Sequence, residues 1–587
     1  MIPNNLISTY SNHIVSTATT SPTNSCTTQA LSEDYADFIV GSFSPYNRFF
    51  NFENRCIAEM TISEDVIYSP IKEVLPLSII KYPYSTIPDV YGLLNSTALE
   101  NSGILRLQNQ PVLQLKGQGI VIGIIDTGID YTHEAFLDNA GRTRIISIWD
   151  QSDTSGTPPE RQFYGTEYTS EMINQALLND NPFDIVPTID DNGHGTFMAG
   201  VAGGSESVEN GFIGVAPLAE FIVVKLKPAK QYLRDYYFIK DDAICYQEND
   251  IIFAISYITD KCLALGKPLS LVMGLGNSKG IHKGISNLSF TLNRLTENTG
   301  NVVVTAMGNE GNKRLHFSGN VSDNITPSVM EIRIDERQKG LMIEIWGQNP
   351  QVFSVSVISP TGEVLERVPP RLNTSENYTF LFEHTTIQLE YKLVESASGE
   401  QLILIRLINP TSGIWRINVY GESNFSGSFN AWLPLSNFLY ENTYFLSSTP
   451  DSTLTSPADA AGPISVSNYD AVTNSLSIES GRGNFNFGVN KPDIASPGVN
   501  MLGPRAGGGY TVKSGSSISA AVTAGAAAQF LTWGITENNQ PELKNSDIKG
   551  YLIRGATRLS DSQYPNNSFG YGTLQIYNSF EIMRGNS

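Results

Sequence analysis

Directly after Gly119 stands Ile120-Val121-Ile122-Gly123-Ile124-Ile125, an unbroken, mostly β-branched apolar run of one strand's length. Such a run has no polar face to turn to water, so it fits a strand covered on both sides, as in a parallel sheet flanked by helices. Similar runs recur at Phe221-Ile222-Val223-Val224, Leu269-Ser270-Leu271-Val272-Met273 and Val302-Val303-Val304. Between two of them Ile251, Ile255, Ile258, Cys262 and Leu265 share one helical face, with Gly266 and Pro268 as a stop. Strands alternating with helices predict an α/β fold around a parallel sheet.

The texture changes along the chain and divides it. Residues 1–31 open with a stretch, Met1 to Ala30, that has no Lys, Arg, Asp or Glu and in which 16 of 30 residues are Ser, Thr or Asn. It has neither a basic start nor an apolar segment, so it reads as a low-complexity leader and not as an export signal. Residues 32–95 carry short apolar runs such as Phe38-Ile39-Val40 and predict a small α+β unit. The α/β pattern occupies 96–315 and resumes over 450–587, with a small-residue helix from Ile518 to Phe530 and a last helix around Asp547 to Arg554. Between them, 316–449 alternates as in Met342-Ile343-Glu344-Ile345-Trp346 and has little helical period, which predicts an inserted antiparallel β-sandwich.

With 38 basic against 58 acidic residues among 587, a net charge of −20 and no basic block, nucleic acid and anionic membrane surfaces are poor partners. No run of 18 apolar residues predicts a membrane span. Four scattered cysteines, Cys26, Cys56, Cys245 and Cys262, make neither a disulfide framework nor a zinc motif, and read as buried or idle thiols.

Four short patterns sit where strands end or helices begin. Asp126-Thr127-Gly128-Ile129-Asp130 follows the first buried strand, where a parallel sheet opens its ligand crevice; read alone, it is a turn. Asn192-Gly193-His194-Gly195-Thr196 surrounds a histidine with glycines at a helix start, leaving the imidazole uncovered for general base work. The other histidines, His13, His133, His282, His316 and His384, lack this setting and read as structural. Gly515-Ser516-Ser517-Ile518-Ser519-Ala520-Ala521 opens a helix, where a backbone amide can face a developing oxyanion; read alone, it is an ordinary helix cap. Ala306-Met307-Gly308-Asn309-Glu310-Gly311 follows another buried strand and can present the Asn309 amide as a second oxyanion donor.

The order Asp, His, Asn, Ser, each at a strand end or helix start, resembles the subtilisin-like serine proteases. Gly515 to Gly525 follows that family's Gly-Thr-Ser-x-Ala-x-Pro-x-x-Ala-Gly pattern, with Ser516, Ser519 and Ala521 as departures that remove no reacting atom. Lys491-Pro492-Asp493-Ile494-Ala495-Ser496-Pro497-Gly498 looks like the segment upstream of the nucleophile, and Met273-Gly274-Leu275-Gly276 like the strand lining the primary specificity pocket. The resemblance covers roughly 115–315 and 450–580. It implies a Ser517, His194, Asp126 triad, Asn309 as oxyanion donor, and no organic cofactor. Calcium stabilises many relatives, but no ligand-rich loop here is assigned to it, so the metal stays open.

The whole layout is similar to the Csp germination proteases of clostridial spores: a prosegment-like stretch, Asp130-Tyr131-Thr132-His133 after the candidate aspartate, and 208 positions from Asn309 to Ser517. That resemblance implies that 32–95 is a self-cleaved prosegment cut near residues 94–97 and that the insertion is a jelly roll. It also implies synthesis in the cytoplasm without a signal peptide, deposition in the spore, and a protein substrate, the precursor of a cortex-lytic enzyme. Some members have lost triad residues and act in signalling, so a pseudoprotease scaffold is the competing reading; here all three positions are filled.

Overall fold

In a computed structural model, the described residues are 25–41, 56–61, 63–93, 102–108, 114–372, 374–424, 426–483, 490–560 and 562–584. The β-branched runs become the middle of a nine-stranded sheet. Its central strands are Ile464–Asp470, Asn301–Ala306, Leu269–Met273, Val121–Asp126, Glu220–Lys225 and Ile145–Asp150, adjacent in that order and parallel. Val121–Asp126 is buried at every position, as a doubly covered strand must be.

Two helices on one face carry the site. His194–Gly203 and Ser516–Leu531 are buried along their whole lengths and pack against each other and against the sheet. Small residues permit the approach: a Cβ on Gly525 would stand 2.5 Å from the Ala202 carbonyl oxygen and 2.5 Å from Val215 Cβ. The stretch Ser516–Thr536 is long and apolar enough to span a bilayer, but 89% of its apolar window is buried inside the protein, where it serves as a core helix.

The insertion forms two antiparallel sheets, of six and five strands, between His316 and Phe445. Residues of both, including Ile343, Ile405, Val355 and Trp415, share one apolar core.

Near the N-terminus, Tyr35–Gly41, Glu64–Pro70 and Cys56–Thr61 make a three-stranded antiparallel sheet. Its apolar residues pack on the helix Glu248–Leu265, which presents Ile251, Ile255 and Ile258. Buried charge pins it further: Lys230 Nζ lies 2.5 Å from Asp37 Oδ1, and Gln247 and Asn249 donate to Asp37 Oδ2 at 2.8 and 3.0 Å. The insertion holds it from the other side. Glu390 accepts from the Ser78 hydroxyl and the Ile79 N–H, and Tyr84 donates to Glu344 at 2.9 Å.

Three expectations need correction. Residues 25–31, assigned to the leader, form a helix in which Cys26 and Ala30, four apart, turn into the core. Cys26 and Cys56 are joined in a disulfide across 5.4 Å between Cα atoms, and only Cys245 and Cys262 are buried free thiols. The helix at Asn545–Gly555 is not the last, because Ile576–Met583 follows and packs against it, with Ser579 standing against Gly555. The stretch expected to be cut, 94–97, and His13 lie outside the described residues.

Candidate active site

Asp126 is the last residue of its strand, so its carboxylate emerges at the carboxyl end of the sheet, where crevices form in such folds. Its Oδ1 lies 2.7 Å from His194 Nδ1, and His194 Nε2 lies 3.1 Å from Ser517 Oγ. A carboxylate can only accept, so Nδ1–H donates to Asp126. That leaves Nε2 unprotonated and able to accept the serine proton. Asp126, His194 and Ser517 are 2, 4 and 0% exposed, so water does not compete for these bonds.

Glycine makes the approach possible. A Cβ on Gly195 would sit 2.1 Å from the Gly128 carbonyl oxygen, and Gly193 holds φ at +77°, a conformation costly for residues with a Cβ. Asp190, 2% exposed, then fixes the helix start: it accepts from the Gly193 N–H at 2.8 Å, the Thr196 N–H at 2.9 Å, and the Thr127 and Thr196 hydroxyls at 2.6 Å each. Thr127 Oγ1 accepts from the Gly195 N–H at 3.0 Å, and the Thr127 N–H donates to Asp126 Oδ1 at 2.8 Å. One buried polar network therefore joins the aspartate turn to the histidine helix. The sequence reading missed Asp190, which stands three residues before the Gly193 cap, beside an equally acidic Asp191.

Asn309 follows the strand Asn301–Ala306, and its Oδ1 accepts from the Ser516 N–H at 3.0 Å. With the carbonyl end engaged, the amide's remaining donor is Nδ2, beside the first turn of the nucleophile helix. Ser519, a departure from the family pattern, is accommodated: its hydroxyl donates to the Ser496 carbonyl at 3.0 Å. Lys491 and Asp493, 2.7 Å apart and buried, hold the preceding segment; burial pushes the lysine down to about 7.

Met273 ends a buried strand, and Gly274 stands against the reacting groups: a Cβ there would be 3.1 Å from Ser517 Cβ and 3.4 Å from His194 Cε1. Leu275 and Gly276 form a short edge that is not empty. Val90–Leu93 pairs antiparallel with it, Gly92 opposite Gly276 and Leu93 opposite Leu275. Among the other histidines, His282 and His316 stack on Trp432, and His133 bonds to Gly509, all outside the triad. Among the described residues no group of three or more His, Cys, Asp or Glu side chains converges on a metal position.

The family model described as the subtilase family matches residues 117–382 and 436–572. In sequence, the chain is 23% identical over 505 residues to the PII-type proteinase of Lacticaseibacillus paracasei, which covers 77% of this chain. The match spans about a quarter, 25%, of that proteinase's length. It is 27% identical over 195 residues to a subtilisin of Bacillus sp. strain TA39, a match covering 33% of this chain and 35% of the subtilisin. In structure it is similar to the CspB protease of Clostridium perfringens, with 32% identity and a TM-score of 0.73. That match covers 82% of this chain and 96% of the other.

Proposed function

The chain belongs to the subtilase family of serine endopeptidases, and on that footing we propose that it is a self-processing zymogen that activates the precursor of a cortex-lytic enzyme during spore germination. The observation that carries the catalytic part is the unbroken chain from Asp126 through His194 to Ser517, with Asn309 beside it.

Ser517 Oγ attacks the peptide carbonyl carbon as its proton passes to His194 Nε2. The carbonyl oxygen becomes an oxyanion that the Ser517 N–H and Asn309 Nδ2 stabilise, and Asp126 holds the imidazolium. The intermediate collapses, His194 returns the proton to the departing amine nitrogen, and an acyl-enzyme ester remains. Water, deprotonated by His194, then hydrolyses that ester and restores Ser517.

In this reading residues 32–95 are the prosegment, and the strand Val90–Leu93 on the Leu275–Gly276 edge is its grip on the substrate cleft. The germination role and deposition in the spore rest on the similarity to the Csp proteases in motif order and layout, and on the likeness to the C. perfringens CspB protease. Both triad hydrogen bonds are formed, which weighs against a pseudoprotease.

Incubating the purified protein and Ser517→Ala with candidate spore zymogens, and reading the products by mass, tests the proposal. A single defined cut made by the wild type alone supports it. A protein that reacts with a fluorophosphonate yet cuts no zymogen loses the germination role and keeps the peptidase one. A protein that does neither is a scaffold.

A further inference from the structure

The nucleophile is reached through a hairpin, Met501–Pro504 with Tyr510–Lys513, that ends four residues before Ser517. Its tip contains Gly507, Gly508 and Gly509, all at positive φ (+84°, +101° and +73°), a backbone with little shape of its own. The loop after the catalytic aspartate holds that tip at two points. Asp130 Oδ2 accepts from the Gly507 N–H at 2.9 Å, and His133 Nε2 lies 2.8 Å from the Gly509 carbonyl oxygen. His133 Nδ1 accepts from the Ala135 N–H at 3.1 Å, so the ring proton is on Nε2, which donates to Gly509. Tyr510 closes the contact, its ring edge-on to His133 at 5.2 Å and its hydroxyl donating to Glu134 at 3.0 Å. Asp130 is itself tied to the buried network: its N–H donates to Thr196 Oγ1 at 2.8 Å.

The clamped hairpin forms one wall of an open cleft of about 810 Å³, whose other wall includes Ile189, Asp191 and Gly193, next to His194. Which part of a substrate enters it follows from the opposite edge. A chain paired as Val90–Leu93 is runs from Gly276 to Leu275 toward Gly274, and so meets Ser517 with the residues that precede its scissile bond. Residues after that bond must leave on the far side of the His194–Ser517 pair. The hairpin cleft borders Gly193, next to His194, and shares no lining residue with the Gly274–Gly276 edge.

We infer that His133, together with Asp130, is a positioning residue that holds the hairpin as the wall for the departing, C-terminal side of the substrate, and so sets how tightly extended substrates bind. The inference rests on the endopeptidase reading, and the test separates the two. Full-length wild type, His133→Leu and His133→Gln are assayed on a peptide extending at least four residues beyond the cut. The same proteins are then labelled with a fluorophosphonate, which engages Ser517 and the oxyanion site without entering the cleft. Gln keeps an N–H that can reach Gly509, and Leu has none.

The expected result is a rise in KM for His133→Leu of roughly tenfold or more, with kcat and labelling rate within about twofold. His133→Gln should recover most of the KM. Equal losses in peptide turnover and labelling would make His133 a purely structural residue and overturn the inference, as would an unchanged KM. If wild type does not label, the endopeptidase reading fails first.

Discussion

The Asn309 side chain accepts a hydrogen bond from the backbone N–H of Ser516, 3.0 Å away, one residue before the nucleophile. One amide thus orients itself on the helix that carries Ser517, with its NH₂ group left to meet a developing charge. Asn309→Ala should lower kcat roughly 10²- to 10³-fold with little change in KM. Asn309→Asp keeps the acceptor and loses the donor, so it should fall as far. An Asp variant close to wild type would show that the bond to Ser516, and not oxyanion stabilisation, is what the residue supplies.

Asp190 gathers four donors in a site closed to water. Asp190→Ala leaves them without a partner, and each unsatisfied buried donor costs about 1–3 kcal/mol. Urea unfolding should show a loss of about 3 kcal/mol or more, and kcat should drop with it, because the same donors set the His194 helix on the Asp126 turn. A stable, fully active variant would remove Asp190 from the site's support.

Much of this was readable beforehand because the fold writes its demands locally. A strand covered on both faces needs a continuous apolar run, and residues 120–125 supply one. Glycines on either side of His194 mark a backbone that must touch another backbone. What stayed hidden depends on partners distant in sequence. The Cys26–Cys56 disulfide and the burial of Ala30 arise from packing around the N-terminal sheet, so a Ser/Thr-rich stretch reads as leader until its neighbours are known. Asp190 and Asp191 are indistinguishable in sequence; only the fold turns one inward and leaves the other exposed. His133 looked structural because its partner, Gly509, lies 376 positions away.

On the self-processing reading, the edge register makes the cut site specific. Leu93 pairs with Leu275, and the next position along that edge is Gly274, which abuts Ser517. The first cut should therefore fall after Leu94, the residue that follows Leu93 in the chain. Intact-mass measurement of wild type should find a mature chain starting at Asn95, and Ser517→Ala should remain whole. Identical processing of both would assign the cut to another protease.

Glu310, 5% exposed, gives stability a pH dependence on the acid side. Burial raises its carboxyl from 4.5 to about 7, against the opposing bonds from the Ser436 N–H and hydroxyl. In the folded protein it is protonated at about pH 5 to 6, where the unfolded chain is ionised. Its contribution is fully present below about 4.5 and is lost as pH rises to about 7, at most about 3 kcal/mol. Glu310→Gln should flatten this part of a stability profile; an unaltered slope would place the titration elsewhere.

Asp37 and Lys230 decide how the N-terminal sheet is held. The pair is 0% and 3% exposed, 2.5 Å apart, and Lys230 also donates to the carbonyls of Gln29 and Tyr35. Burial pulls the lysine down and Asp37 holds it up, so the ammonium depends on its partner. Asp37→Leu leaves that charge buried and uncompensated, a change that costs about 3–5 kcal/mol in comparable settings. Removing both charges, with Asp37→Leu and Lys230→Met together, is expected to restore most of the loss, since an apolar pair of similar size needs no solvation. Thermal unfolding of the two single variants and the double variant forms a cycle that isolates the coupling. If the double variant is as unstable as the sum of the singles, the pair does not act as a unit, and the sheet is held by its other contacts, the apolar face on the Glu248–Leu265 helix among them.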